Sequence, residues 1–199
     1  LNTYPNRDSY QAAQRRLSDP NPLVRIGAIE ALEFLAPDQR WIDLSPLLDD
    51  KVKAVRLAAT ANLLGTQHVA NKARLQANIA EYIASLQVNA DRPNGQLQLA
   101  STYTALGRYQ QADQAFQQAL MLEPLNAVAI NNRADSFRAQ GLHQRALELL
   151  VAGNKTVPDN PLLLHSLGLA QVRSGQPALD SLRQAANLAP DNNRYSYIY

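Results

Sequence analysis

The stretch PNGQLQLASTYTALGRYQQADQAFQQALMLEPLN, from Pro93 to Asn126, decides the fold, because the chain can be laid on it twice more before the sequence ends. Within it Gln96, Leu99, Ala100 and Tyr103 are followed by Ala112, Phe116 and Pro124. Thirty-four residues later Ile130, Ala134, Phe137, Ala146, Leu150 and Pro158 hold the same places. Leu164, Leu167, Gly168, Ala178, Leu182 and Pro190 hold them a third time. A repeat of this length is one supersecondary unit that cannot bury its apolar side alone, so neighbouring copies must stack.

Each copy reads as a helical hairpin. Leu97, Leu99, Tyr103 and Leu106 mark a first helix, Gly107 ends it, and Tyr109 to Leu122 supplies a second before Pro124 stops it. Ala100, Ala112 and Ala119 are small where two helices must cross closely, while Leu99, Tyr103 and Phe116 fill the space between them. Arg133 stands where the other copies carry Leu99 and Leu167. A charge there is expected to run outward along its stem or to pair with Glu148 or Asp135. The third copy is two residues shorter between Gly175 and Ala178 than the others are from Gly107 to Ala112, and Pro177 is placed to open its second helix.

This spacing resembles the tetratricopeptide repeat (TPR) family over residues 93–199, as three repeats and the start of a fourth. The resemblance implies a concave surface, lined by the first helices, that holds an extended peptide or a partner's helix. Its groove positions fall on Leu97, Ser101 and Thr104, then Asn131, Asp135 and Arg138, then His165, Leu169 and Arg173, with Arg194 and Tyr197 extending the row. The family's chaperone-binding members hold a peptide's terminal carboxylate with a set of Lys, Asn and Arg residues. Only Asn132 matches that set, and Leu97 and Leu162 stand where two of the Lys would be, so that clamp is not expected.

The N-terminal part has a second, shorter period. Asp19, Val24, Arg25, Ala28 and Leu32 recur 31 residues on as Asp50, Val55, Arg56, Ala59 and Leu63. Residues 1–66 resemble HEAT repeats. A basic residue recurring in each unit is expected to tie hairpins together, Arg25 and Arg56 reaching the preceding turn or the next repeat. Trp41 opens an expected helix over 41–48 and is read as packing. Residues 67–92 form a connecting segment, with a helix over about 69–88 whose apolar side is Ala73, Ala77, Ala80, Ile83, Ala84 and Leu86. The whole is expected to be all-α, a right-handed α-solenoid of helical hairpins, HEAT-like and then tetratricopeptide.

Composition narrows the function. Nineteen basic residues oppose seventeen acidic ones, and the signs balance within each half, so no basic stripe argues for nucleic acid. No apolar run is long enough for membrane insertion. Cysteine is absent, which removes thiolate metal sites, cysteine nucleophiles and covalent haem attachment. His68, His143 and His165 stand far apart and in no metal-ligand spacing, His143 taking the place of Tyr109, where an aromatic packs on the next hairpin. No phosphate loop or nucleophile elbow is present, and Asp49-Asp50 reads as a turn and cap. No catalytic residue, cofactor or metal is expected.

The function expected is a non-catalytic scaffold for a protein or peptide partner. The chain begins at Leu1 and its last residues only begin a fourth repeat, which reads as an excised piece of a longer bacterial protein. Self-association through that truncated end, at Ile198-Tyr199, is a further expectation. The runs Ala90-Asp-Arg-Pro93, Asn132-Arg-Ala-Asp135 and Leu167-Gly-Leu-Ala170 also resemble bacterial proteins in which such repeats follow a multihaem cytochrome c domain. That resemblance implies a periplasmic docking or assembly region. An accessory domain of an enzyme whose catalytic module lies elsewhere is the other alternative.

Overall fold

The computed structural model describes residues 7–64 and 72–198, with side chains over 8–64 and 75–195. Every regular element among the described residues is a helix. They run α1 (Arg7–Arg16), α2 (Pro22–Ala31), α3 (Pro37–Leu44), a 3₁₀ turn (Ser45–Asp49), α4 (Lys53–Leu63), α5 (Lys72–Gln87), α6 (Pro93–Ala105), α7 (Tyr109–Leu122), α8 (Ala127–Ala139), α9 (His143–Thr156), α10 (Pro161–Arg173), α11 (Leu179–Leu188) and α12 (Asn193–Ile198). The chain divides into two compact units, Leu1–Gln87 and Val88–Tyr199.

In the first unit α2 is started by Asn21, whose side chain accepts the Leu23 amide, with Pro22 at the first helical position. Its core is Ala13, Leu17, Ile29, Leu32, Leu44, Leu48, Val55, Leu63, Leu75 and Ile79. The helix expected over 41–48 is displaced toward the N-terminus: α3 runs Pro37–Leu44, and Pro46 sits in a 3₁₀ turn instead. Trp41 is half-buried on α3. The buried side of α5 is Leu75 and Ile79, while Ala77, Ala80 and Ala84 face solvent. The larger side chains remove more apolar surface from water, and they decide which way the helix turns. The expected start of this helix, like His68, falls outside the described residues.

Arg25 and Arg56 tie this unit together in one pattern. Arg25 donates to the Asp19 carbonyl at 2.6 Å and to Asp50 at 2.9 Å. Arg56 donates to the Asp50 carbonyl at 2.8 Å and, with two nitrogens, to Glu81 at 3.0 and 2.7 Å. Each arginine thus closes its own turn with one hand and reaches an acid of the next element with the other. Burial works against the charge of Asp50, but the Val52 amide and Arg25 outweigh it and hold the carboxyl below its usual range.

In the second unit the period is visible as geometry. Gly107, Gly141 and Gly175 have φ of 69°, 75° and 66°, and they end the three first helices alike. Arg108, Leu142 and Gln176 each donate a backbone N–H five residues back, to Tyr103, Phe137 and Gln171, while the glycine amides reach Thr104, Arg138 and Val172. This is the Schellman closure, which needs a left-handed residue and so selects glycine. Asn126 and Asn160 cap α8 and α10 with side chains that accept the amides of Ala129 and of Leu162 and Leu163. Helices consecutive in sequence pack on one another, and first helices also touch, α6 on α8 and α8 on α10. Between them lies a core of Ile130, Ala134, Leu147, Leu150, Leu163 and Leu167. The small positions are needed: a Cβ on Gly153 would come within 2.6 Å of Ile130, and one on Gly168 within 2.6 Å of Leu182.

Two local expectations are corrected. Arg133 pairs neither with Glu148 nor with Asp135 but with Asp113 on α7, at 2.7 Å, and its guanidinium lies 5.6 Å from the Phe137 ring. Its stem runs outward toward the preceding hairpin, where Asp113 is the acid it meets. Pro177 does not open α11. It lies before the cap, Ala178, and α11 is 10 residues long against 14 in α7 and α9, the shortened turn being taken out of the helix.

Candidate functional site

Three first-helix positions of the second hairpin and three of the third come together. Asn131, Asp135 and Arg138 on α8 and His165, Leu169 and Arg173 on α10 line one cavity of about 190 Å³. The two sets face each other because the hairpins stack at a fixed period, so residues spaced at one helical turn on α8 oppose their equivalents on α10. Ala146 and Leu150 of α9 and Arg194 and Tyr195 of α12 also line it. Leu97, Ser101 and Thr104 on α6 do not line it. Leu97 is half-buried and Ser101 exposed, while Thr104 donates to the Ala100 carbonyl at 2.9 Å and lies 3.2 Å from the buried Ser136 hydroxyl.

A polar thread crosses the cavity. Ser166 donates to Asn131 Oδ1 at 2.5 Å, and Asn131 Nδ2 donates to Asn132 at 3.2 Å and, more weakly, to Asp135 at 3.5 Å. Arg138 donates to Asp135 at 3.0 Å. Asn131 is buried, so this satisfaction is a condition of its being there. Ser166 was not legible as a site residue, although a buried polar residue at position 131 calls for a partner across the stack.

His165 is the other buried polar group, 3% exposed, and its ring lies 4.4 Å from that of Tyr195. Neither ring nitrogen has a hydrogen-bond partner among the described residues. Burial, with the neighbouring Arg194 charge second, lowers its pKa and keeps the imidazole neutral near pH 7. His143, in contrast, is exposed at the start of α9 and does not take the half-buried place of Tyr109, since a polar ring at a helix end is better left in water. The side chain of Tyr197 lies outside the described residues. Among the described residues no three His, Asp or Glu groups gather as a metal site, and no helix is long and apolar enough to cross a membrane.

The tetratricopeptide repeat model matches residues 94–124. A relative from Sinorhizobium fredii, the uncharacterized protein y4yS, is 25% identical over 193 residues, which is 93% of this chain and all of that protein. Among solved structures, MamA superimposes with a TM-score of 0.49 and 14% identity, over 97% of this chain and all of that one. YrrB, described as a TPR protein with an unusual peptide-binding site, gives 0.48 and 14%, over 95% and 98%. The matched repeat, and two further copies that close their helices in the same geometry, make the second unit similar to the tetratricopeptide repeat.

Proposed function

We propose that the protein is a non-catalytic interaction scaffold and that its second unit holds an extended peptide against α8 and α10. The observation that supports this is the convergence of six side chains from two separate repeats on one cavity. A cleft that mixes apolar side chains with directional polar groups fits a peptide, whose backbone needs hydrogen bonds and whose side chains need pockets. Binding is favoured over catalysis by the pairing within it. Ser166 gives its proton to Asn131, not to a base, and among the described residues His165 has no carboxylate orienting it, so these two do not form a nucleophile–base pair.

The test is selection of displayed random peptides on the full chain, with a variant carrying Asn131→Ala, Arg138→Ala and Arg173→Ala in parallel. A convergent peptide family recovered by the wild type and lost by the variant, at unchanged helicity, is the expected result. Peptides retained equally by the variant would move the binding surface elsewhere and overturn this reading.

A further inference from the structure

We infer that α12 is a proton-released cap on the third hairpin: a proton taken up by His165 drives Tyr195 off the side of α10, and α12 leaves with it, taking Arg194 and Tyr195 out of the cavity lining. Release of α12 does not depend on what the cavity holds. Where α8 meets α10, the buried polar side chain is Asn131, and Ser166 across the stack satisfies it at 2.5 Å. Where α10 meets α12, the residue one repeat on from Asn131 is His165, and what it meets is the Tyr195 ring at 4.4 Å. Both nitrogens of His165 are buried there with no hydrogen-bond partner among the described residues. The contact suits a neutral ring and has nothing to offer a charged one.

Among the described side chains of α12, Tyr195 alone is buried, while Asn193 and Arg194 are exposed. The helix has six residues, too few to be helical in water on its own, so its seat decides whether it forms. The charges around His165 do not favour a proton either. α8 brings Asp135 and Arg138, which pair with each other, α10 brings Arg173, and α12 brings Arg194 and Tyr195. α9 lines the cavity only with Ala146 and Leu150, and α11 has Asp180 and Arg183 paired with each other outside that lining. The arginines are exposed and screened by water, so burial is the stronger reason that the docked ring is neutral. Once released, His165 meets water and titrates near its ordinary 6.5. Nothing drives release above that pH. Below it the ratio of docked to released α12 falls by up to about tenfold per pH unit, until the docked ring itself takes the proton.

The experiment is NMR of the full chain between about pH 8 and pH 5, with the two rings assigned through His165→Phe and Tyr195→Phe. At the upper end the expected result is cross-relaxation between the His165 and Tyr195 rings. On acidification it fades, the α12 amides move to coil shifts, and both changes share one midpoint with proton uptake by His165, while the amides of α8 and α9 hold. His165→Phe keeps a ring and removes the proton, so α12 stays docked throughout. Tyr195→Ala frees α12 even at the upper end and brings the His165 midpoint up toward 6.5. If His165→Phe lowers the helicity of the second unit, Tyr195→Ala alone decides. Amides of α12 that have not moved by the lower end, a release that survives His165→Phe, or a ring contact that persists once His165 is protonated would each overturn the inference. Loss of the α8 and α9 amides together with those of α12 would overturn it too, as unfolding of the whole unit rather than release of a cap.

Discussion

The recurring arginines of the first unit and the cavity arginines of the second are used in opposite ways, although Arg133 of the second unit also bridges two elements, to Asp113 on α7. In the first, Arg25 and Arg56 recur at the repeat period and each spans two elements, with turn carbonyls on one side and Asp50 or Glu81 on the other. In the second, Arg138 is tied only to a neighbour on its own helix, and Arg173 and Arg194 line a cavity without an acid of their own. What separates the two uses is the partner across the stack. A cation whose partner is supplied by the next repeat is part of the fold, and one whose partner is missing is available to something else.

The largest effect that would test this contrast is Asp50→Ala. Asp50 accepts from Arg25 and from the Val52 amide, and its side chain is only 11% exposed. Its removal strands the Arg25 guanidinium and loses the bond that closes the turn before α4, and about 3 kcal/mol of stability should go. Urea unfolding followed by Trp41, the chain's one tryptophan and a member of the first unit, measures it. A loss well under 1 kcal/mol would mean that the arginine ladder is decoration.

Gly141→Ala addresses the second unit's dependence on turn geometry rather than charge. A Cβ at φ 75° meets open space, so the cost is conformational only, about 1 kcal/mol. Circular dichroism should show it as a lower urea midpoint at unchanged helix content. An unchanged midpoint would mean that the Schellman turn tolerates a side chain.

Acid should separate the units by window. The pKa of His165 is lowered from 6.5 in the fold, so an unfolded chain takes up the proton first. The second unit's stability is then complete above pH 6.5 and erodes as pH falls below it. In the first unit Asp50 and Glu81 are lowered from 3.8 and 4.5, Glu81 chiefly by its hydrogen bonds from Arg56. Their contribution persists above those values and is lost only as pH falls through the folded pKa values beneath them. Between about pH 6.5 and 4.5, urea midpoints read by total helicity should therefore fall while those read by Trp41 hold. His165→Phe should abolish the first drift, and a drift that survives it belongs to another group.

The fold was largely legible because repetition makes each position testable against its copies. Glycine recurring with one spacing from 107 to 141 to 175 could only be a helix end, and it is. Arg25 and Arg56 were readable for the same reason. What escaped was pairing set by rotation about a helix axis rather than by period. Arg133 turned to Asp113, α5 buried Leu75 and Ile79 rather than its alanines, and Ser166 met Asn131 across the stack. Of the groove positions, those on α8 and α10 line one cavity and those on α6 do not, a difference that the shared period of the three copies did not reveal.

The smallest expected effect is the most discriminating. Arg173 is exposed and unpaired among the described residues, so Arg173→Gln removes no folded-state contact and should change stability by less than about 0.5 kcal/mol. If anything the unit should gain slightly, since Arg138 and Arg194 line the same cavity and repel it. The same substitution should weaken capture of the selected peptides about tenfold. Loss of binding at constant stability is what a cation held for a ligand predicts, whereas a clear loss of stability would place Arg173 with Arg25 and Arg56 as a strut, and would erase the difference between the two units.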